Sequence, residues 1–100
     1  MINIEIINNK TIKVKGHANY AEYGQDIVCA SVSTAVYMSI NQIEVFDKLD
    51  CIKTNVMEGN ACIEVVREDE IVSKVISNLI FTLRDLELQY PKYIKINEKI

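Results

Sequence analysis

The chain carries one histidine, one proline and three glycines in 100 residues, and its three cysteines, Cys29, Cys51 and Cys62, form no CxxC pair. A lone histidine leaves too few clustered donors for metal catalysis, so no metal is expected and no cofactor is called for. An odd cysteine count without paired spacing makes neither a disulfide framework nor a zinc site, and it fits a reducing cytoplasm. Basic charge is also short. Eleven Lys and Arg against 14 Asp and Glu leave a net charge of -3, which argues against general nucleic-acid binding and points to a protein partner. Long apolar runs are missing too: the longest uncharged stretch, Ile27 to Ile43, is interrupted by Ser31, Ser33, Thr34, Ser39, Asn41 and Gln42, too polar for a bilayer span. The segment from Met1 to Ile6 lacks the basic start and continuous apolar core of a signal peptide, so export is not expected.

What is present is 49% apolar side chains, enough for one core and too little for two, so residues 1–100 read as a single domain. There are no repeats, linkers or low-complexity tracts. Ile2, Ile4 and Ile6 alternate with polar residues, as do Ile12 and Val14, and a three-residue loop from Asn8 to Lys10 puts Ile6 opposite Ile12 and Glu5 opposite Lys13. After Asp26, an N-cap candidate, apolar residues recur at Val28, Val32, Val36, Ile40 and Ile43. Ala35 and Met38 widen that stripe, which predicts a largely buried helix ending near Phe46. A second hairpin turns at Glu58-Gly59 and aligns Lys53 with Glu64 and Ile52 with Val65. Asp69 then caps a helix with the stripe Val72, Val75, Ile76, Leu79, Ile80, Leu83 and Leu86, which Pro91 stops before a short strand at Tyr93 to Ile96. The order is ββαββαβ: an α/β protein of the α+β type, with a mostly antiparallel sheet and two helices.

Chemistry is concentrated between the first hairpin and the first helix. His17 follows Gly16 at the sheet's end, and Cys29 falls at the third helical position after Asp26. A cysteine in a first helical turn meets unpaired amides and the positive end of the macrodipole, both of which favour thiolate. A nearby imidazole can act as base and later protonate the leaving amine, and the same amides could receive an oxyanion. Asp26, if ionised, opposes the thiolate, and its capping role is expected to dominate. Read alone, Cys29 is a small buried hydrophobe and His17 a polar strand end. It is their pairing across the loop 18–25 that points to catalysis. Ser33, one turn after Cys29, is placed to touch the thiol or substrate, or to ease helix packing. Tyr20 and Tyr23 are placed to line a groove or simply to pack, and Gly16 and Gly24 to give the loop mobility.

The run Gly16-His17-Ala18 followed by Gly24-Gln25-Asp26-Ile27-Val28-Cys29-Ala30-Ser31-Val32-Ser33 resembles the bacterial ribosomal-processing cysteine proteases of the Prp family. Tyr90-Pro91-Lys92-Tyr93 adds weaker support, and the length matches the whole family domain. The resemblance implies a homodimer with Cys29 as nucleophile and His17 as base. It also implies a substrate: a ribosomal large-subunit protein, number twenty-seven, from which a short N-terminal extension is cut after an aromatic residue. Asp26 and Ser33 match further motif positions. The rival reading is a non-catalytic dimeric module that grips a peptide or the ribosome.

Overall fold

A computed structural model describes residues 1–22 and 26–100. The chain runs β1 (Ile2–Ile7), β2 (Thr11–Lys15), α1 (Ile27–Val45), a short 3₁₀ turn (Leu49–Cys51), β3 (Ile52–Met57), β4 (Asn60–Val65), α2 (Glu70–Gln89) and β5 (Ile94–Lys99). The expected registers hold. Ile6 faces Ile12 and Glu5 faces Lys13 across a loop in which Asn8 and Asn9 take φ of 54° and 55°, the left-handed region that asparagine tolerates. In the second hairpin Ile52 pairs with Val65, Lys53 with Glu64, and Met57 with Asn60.

The sheet order is β3-β4-β2-β1-β5, antiparallel except at the β1–β5 edge. The mixed sheet follows from α2, which carries the chain back so that β5 runs alongside β1 in the same direction. Ile2, Ile4, Ile6, Ile12, Ile63 and Ile94 are all at most 2% exposed and form the covered face, whereas Lys13, Lys53 and Glu64 belong to the opposite, polar face. Lys53 and Glu64 are exposed there.

Both helices are capped as their sequences require. Asp26 Oδ1 accepts from the Val28 and Cys29 amides, and Asp69 Oδ1 from those of Ile71 and Val72. α2 buries Val72, Val75, Ile76, Leu79, Ile80 and Leu83, each contributing about 1.5–3 kcal/mol of apolar burial, before Tyr90 ends it ahead of Pro91. α1 departs from the expected burial. It buries only Val28, Val32, Val36, Ser39 and Ile43, while Tyr37 is 53%, Met38 60% and Val45 78% exposed. With the sheet beneath it and α2 along one flank, a helix of nineteen residues still turns its far side to solvent, so an uncharged sequence leaves its remaining apolar surface open there. No helix among the described residues is long and apolar enough to cross a membrane.

Candidate active site

The site forms where β2 runs out and α1 begins. β2 ends at Lys15, and Gly16 turns the chain with φ of 98°, a conformation side-chain-bearing residues rarely adopt. A Cβ at this position would lie 2.5 Å from the Met1 carbonyl oxygen, so Gly16 serves a close backbone approach rather than loop mobility. Its amide donates to the Gly59 carbonyl at 2.9 Å, tying the entry to His17 to the β3–β4 turn. His17 follows, exposed to solvent, and Ala18 is buried.

The Ala18 amide donates to the Cys29 sulfur at 3.2 Å, a bond that brings the residue after His17 against the first turn of α1. Cys29 is half-buried at the third helical position and lines a cleft of about 600 Å³. His17, Asp26, Ser33, Asn19 and Glu58 line the same cleft. The structure thus brings together four residues singled out by sequence: His17, Asp26, Cys29 and Ser33. Tyr20 goes elsewhere. Its ring packs edge-on against Tyr93 at 5.1 Å and Tyr90 at 5.9 Å, which fastens the loop to the segment that follows α2. Tyr23 and Gly24 lie outside the described residues.

Asp26 has a double task. One oxygen caps α1, and the other accepts from the Tyr20 amide at 3.0 Å. Burial pushes its carboxyl up, but hydrogen bonds from the Cys29, Tyr20, Val28 and Ala21 amides outweigh this and hold it below the usual carboxylate range. The same geometry corrects one expectation. The Val28 and Cys29 amides are engaged by Asp26, and the Ala30 amide by the Asp26 carbonyl at 3.0 Å, so these three helix-start amides do not await an oxyanion. The Ala18 amide, pointing at the sulfur from the loop, is the donor that sequence reasoning missed. Buried backbone in a loop has no residue-type signature by which it could have been found.

Electrostatically the cleft is acidic. Among its described lining residues Asp26 and Glu58 are carboxylates, and there is no lysine or arginine. Glu58 comes from the β3–β4 turn, far away in sequence, and also lines an adjoining cleft of about 350 Å³ bounded by Val14, Val36, Tyr37 and Met57. The two share Val14, Val32, Ser33 and Glu58, which makes a continuous groove between α1 and the second hairpin.

Comparison with known proteins agrees in sequence and in fold. The ribosomal processing cysteine protease Prp of Mycoplasma genitalium is 31% identical over 99 residues, covering 99% of this chain and 97% of that protein. The crystal structure of an essential ribosomal processing protease Prp from S. aureus, in complex with a covalently linked product peptide, superposes with a TM-score of 0.89. It is 27% identical and covers 99% of this chain and 100% of the other. The S. aureus protease in complex with a substrate peptide gives 0.84 at 26% identity with the same coverage. The family model for the cysteine protease Prp matches residues 1–95. A catalytic protein, rather than a binding module that only grips its peptide, is what these relatives have in common: the chain belongs to the Prp family of cysteine proteases and is a hydrolase.

Proposed function

We propose that Cys29 and His17 form the catalytic pair of this protease and that its substrate is the N-terminally extended precursor of ribosomal large-subunit protein number twenty-seven, cut after an aromatic residue in the bacterial cytoplasm. The observation that supports the assignment is the hydrogen bond from the Ala18 amide to the Cys29 sulfur at 3.2 Å, which ties the residue after His17 to the first turn of α1. That amide and the first turn of α1 face the sulfur that would attack. His17 takes the thiol proton, the sulfur attacks the scissile carbonyl, and a tetrahedral oxyanion forms within reach of the Ala18 amide, released from the sulfur as its negative charge moves to oxygen. The imidazolium then protonates the leaving amine, and water attacks the thioester with His17 again as base. Asp26 holds the loop and helix in register, and Ser33 lies along the groove to meet the bound peptide. An acidic cleft suits a basic ribosomal precursor.

The experiment is to mix the purified protein with extended and trimmed precursor and to read masses. Cys29→Ala and His17→Ala are each expected to lower cleavage by on the order of 10⁴-fold or more with the fold intact. Turnover equal to the parent by either variant sinks the assignment.

The exposed apolar surface of α1 supports a homodimer. Tyr37, Met38, Val45 and Phe46 border an open groove with no charged side chain among its described lining residues. In a two-fold interface each charge near the axis meets its own copy, and this surface has none to repel.

A further inference from the structure

The imidazole of His17 rests against the β3–β4 turn. Met57, the last residue of β3, pairs with Asn60, the first of β4, leaving Glu58 and Gly59 as the two-residue loop, with Gly59 at φ of 73°. A Cβ on Gly59 would fall 2.8 Å from His17 Nε2, 3.2 Å from Cε1 and 3.7 Å from Cδ2. Separations under about 3 Å are not tolerated between such atoms, so a side chain here and the ring in its present seat exclude one another. The ring, not the backbone, would yield. His17 is exposed, whereas Gly59 is held through its carbonyl by the Gly16 amide at 2.9 Å. One turn therefore fixes the backbone entering His17 and also provides the bare surface beneath its ring.

We propose that Gly59 is a positioning residue for His17: its missing side chain is required by the catalytic imidazole and not only by the hairpin. The inference rests on His17 being the base. A general base works only within hydrogen-bond reach of the proton it moves, and displacement by about 1 Å costs on the order of 10²-fold in rate. Two demands on residue 59 can be separated chemically. The turn asks for positive φ, which asparagine tolerates and a D-residue prefers. The ring asks that the position of an L-residue's Cβ be empty, which asparagine violates and D-alanine, whose methyl points the other way, does not.

The test compares Gly59→Asn with a chain carrying D-alanine at 59, made by chemical ligation, and with His17→Ala. Expected for Gly59→Asn are a folded protein, KM within about threefold of the parent, and kcat lower by roughly 10–100-fold. Its pH profile for Cys29 alkylation is expected to shift toward that of His17→Ala. The D-alanine protein should keep the parental kcat and profile. Should the asparagine variant not fold, Gly59→Asp, which tolerates the same positive φ, takes its place in the comparison with D-alanine. Parental kcat and alkylation profile in Gly59→Asn, or equal losses with D-alanine, overturn the proposal. Full turnover by His17→Ala is a different failure, since it removes the premise about the base and is visible in the same assay.

Discussion

The carboxylate of Asp26 accepts from the Tyr20 amide through Oδ2 while its Oδ1 caps α1, so one side chain joins the loop after His17 to the helix bearing Cys29. Asp26→Ala removes both ties. The lost cap alone costs about 1 kcal/mol, and for a domain of this size that corresponds to a fall of about 4–8 °C in Tm. Cleavage should fall further than stability explains, because the loop is freed as well. Asp26→Asn retains a capping oxygen and should recover most of the Tm but not the activity. Calorimetry beside a precursor-cleavage assay reads both quantities.

Acid should unfold the protein through a few identifiable groups. Asp26 is held below the usual carboxylate range by its amide bonds, against the upward push of burial. Glu68 is lowered by its hydrogen bond from Lys10, and Asp69 by those from Lys48 and the Val72 amide. A carboxyl whose pKa is lower in the folded state binds protons sooner when unfolded. Its stabilisation is thus present above the unfolded value near 4 and is lost as pH falls through the folded value. Lys48, raised by the Asp69 hydrogen bond, acts in the opposite sense: its share is present below the ordinary lysine value and lost as pH rises through the raised one. Urea unfolding across pH should show a plateau near neutrality and a decline below about pH 4. That decline should be shallower in Asp26→Asn; an identical slope would remove Asp26 from the account.

Tyr20 anchors the loop by its ring against Tyr90 and Tyr93. Each edge-to-face pair is worth about 0.5–1.5 kcal/mol beyond area burial. Tyr20→Phe keeps the ring and should behave like the parent. Tyr20→Ala releases the loop locally, so KM should rise and kcat fall several-fold while Tm changes by only a few degrees. Steady-state kinetics on a peptide substrate, with thermal melts alongside, decides this.

The open face of α1 makes a prediction about assembly. Met38→Glu or Tyr37→Glu puts a carboxylate into the groove, where a two-fold partner would bring its equal close by. Sedimentation is expected to show a dimer for the parent and a monomer for either variant, with unchanged circular dichroism. A monomeric parent would leave that face without its proposed partner.

Local chemistry made much of this architecture legible from residue order alone. Alternation set the register of the first hairpin, down to Glu5 opposite Lys13, because a one-residue slip would turn its isoleucines toward water, and the Glu58-Gly59 turn set that of the second. Asp26 and Asp69 announced the helix starts because capping depends only on residues two and three positions on. Long-range matters stayed hidden. An uncharged run reads as buried, yet Tyr37 and Met38 are exposed, because what covers a helix is decided by neighbours rather than by composition. Engagement of the first-turn amides is implied by Asp26's capping role itself, whereas its second bond, from the Tyr20 amide, is not revealed by residue type. Gly59 already had a sufficient reason to be glycine in its turn, so nothing marked its second duty beneath His17.

β1 lies inside the sheet, with β2 on one side and β5 on the other, and its first amide, that of Ile2, donates to the Tyr93 carbonyl at 2.8 Å. During synthesis, therefore, the earliest strand must wait with one flank unpaired until residues 93–99 have cleared the exit tunnel. The aromatic rest for Tyr20 arrives in the same late stretch. Until then the chain holds its cysteine and histidine but not the finished frame around them, so the cleft is completed by the strand and aromatic pair lying farthest from it along the chain.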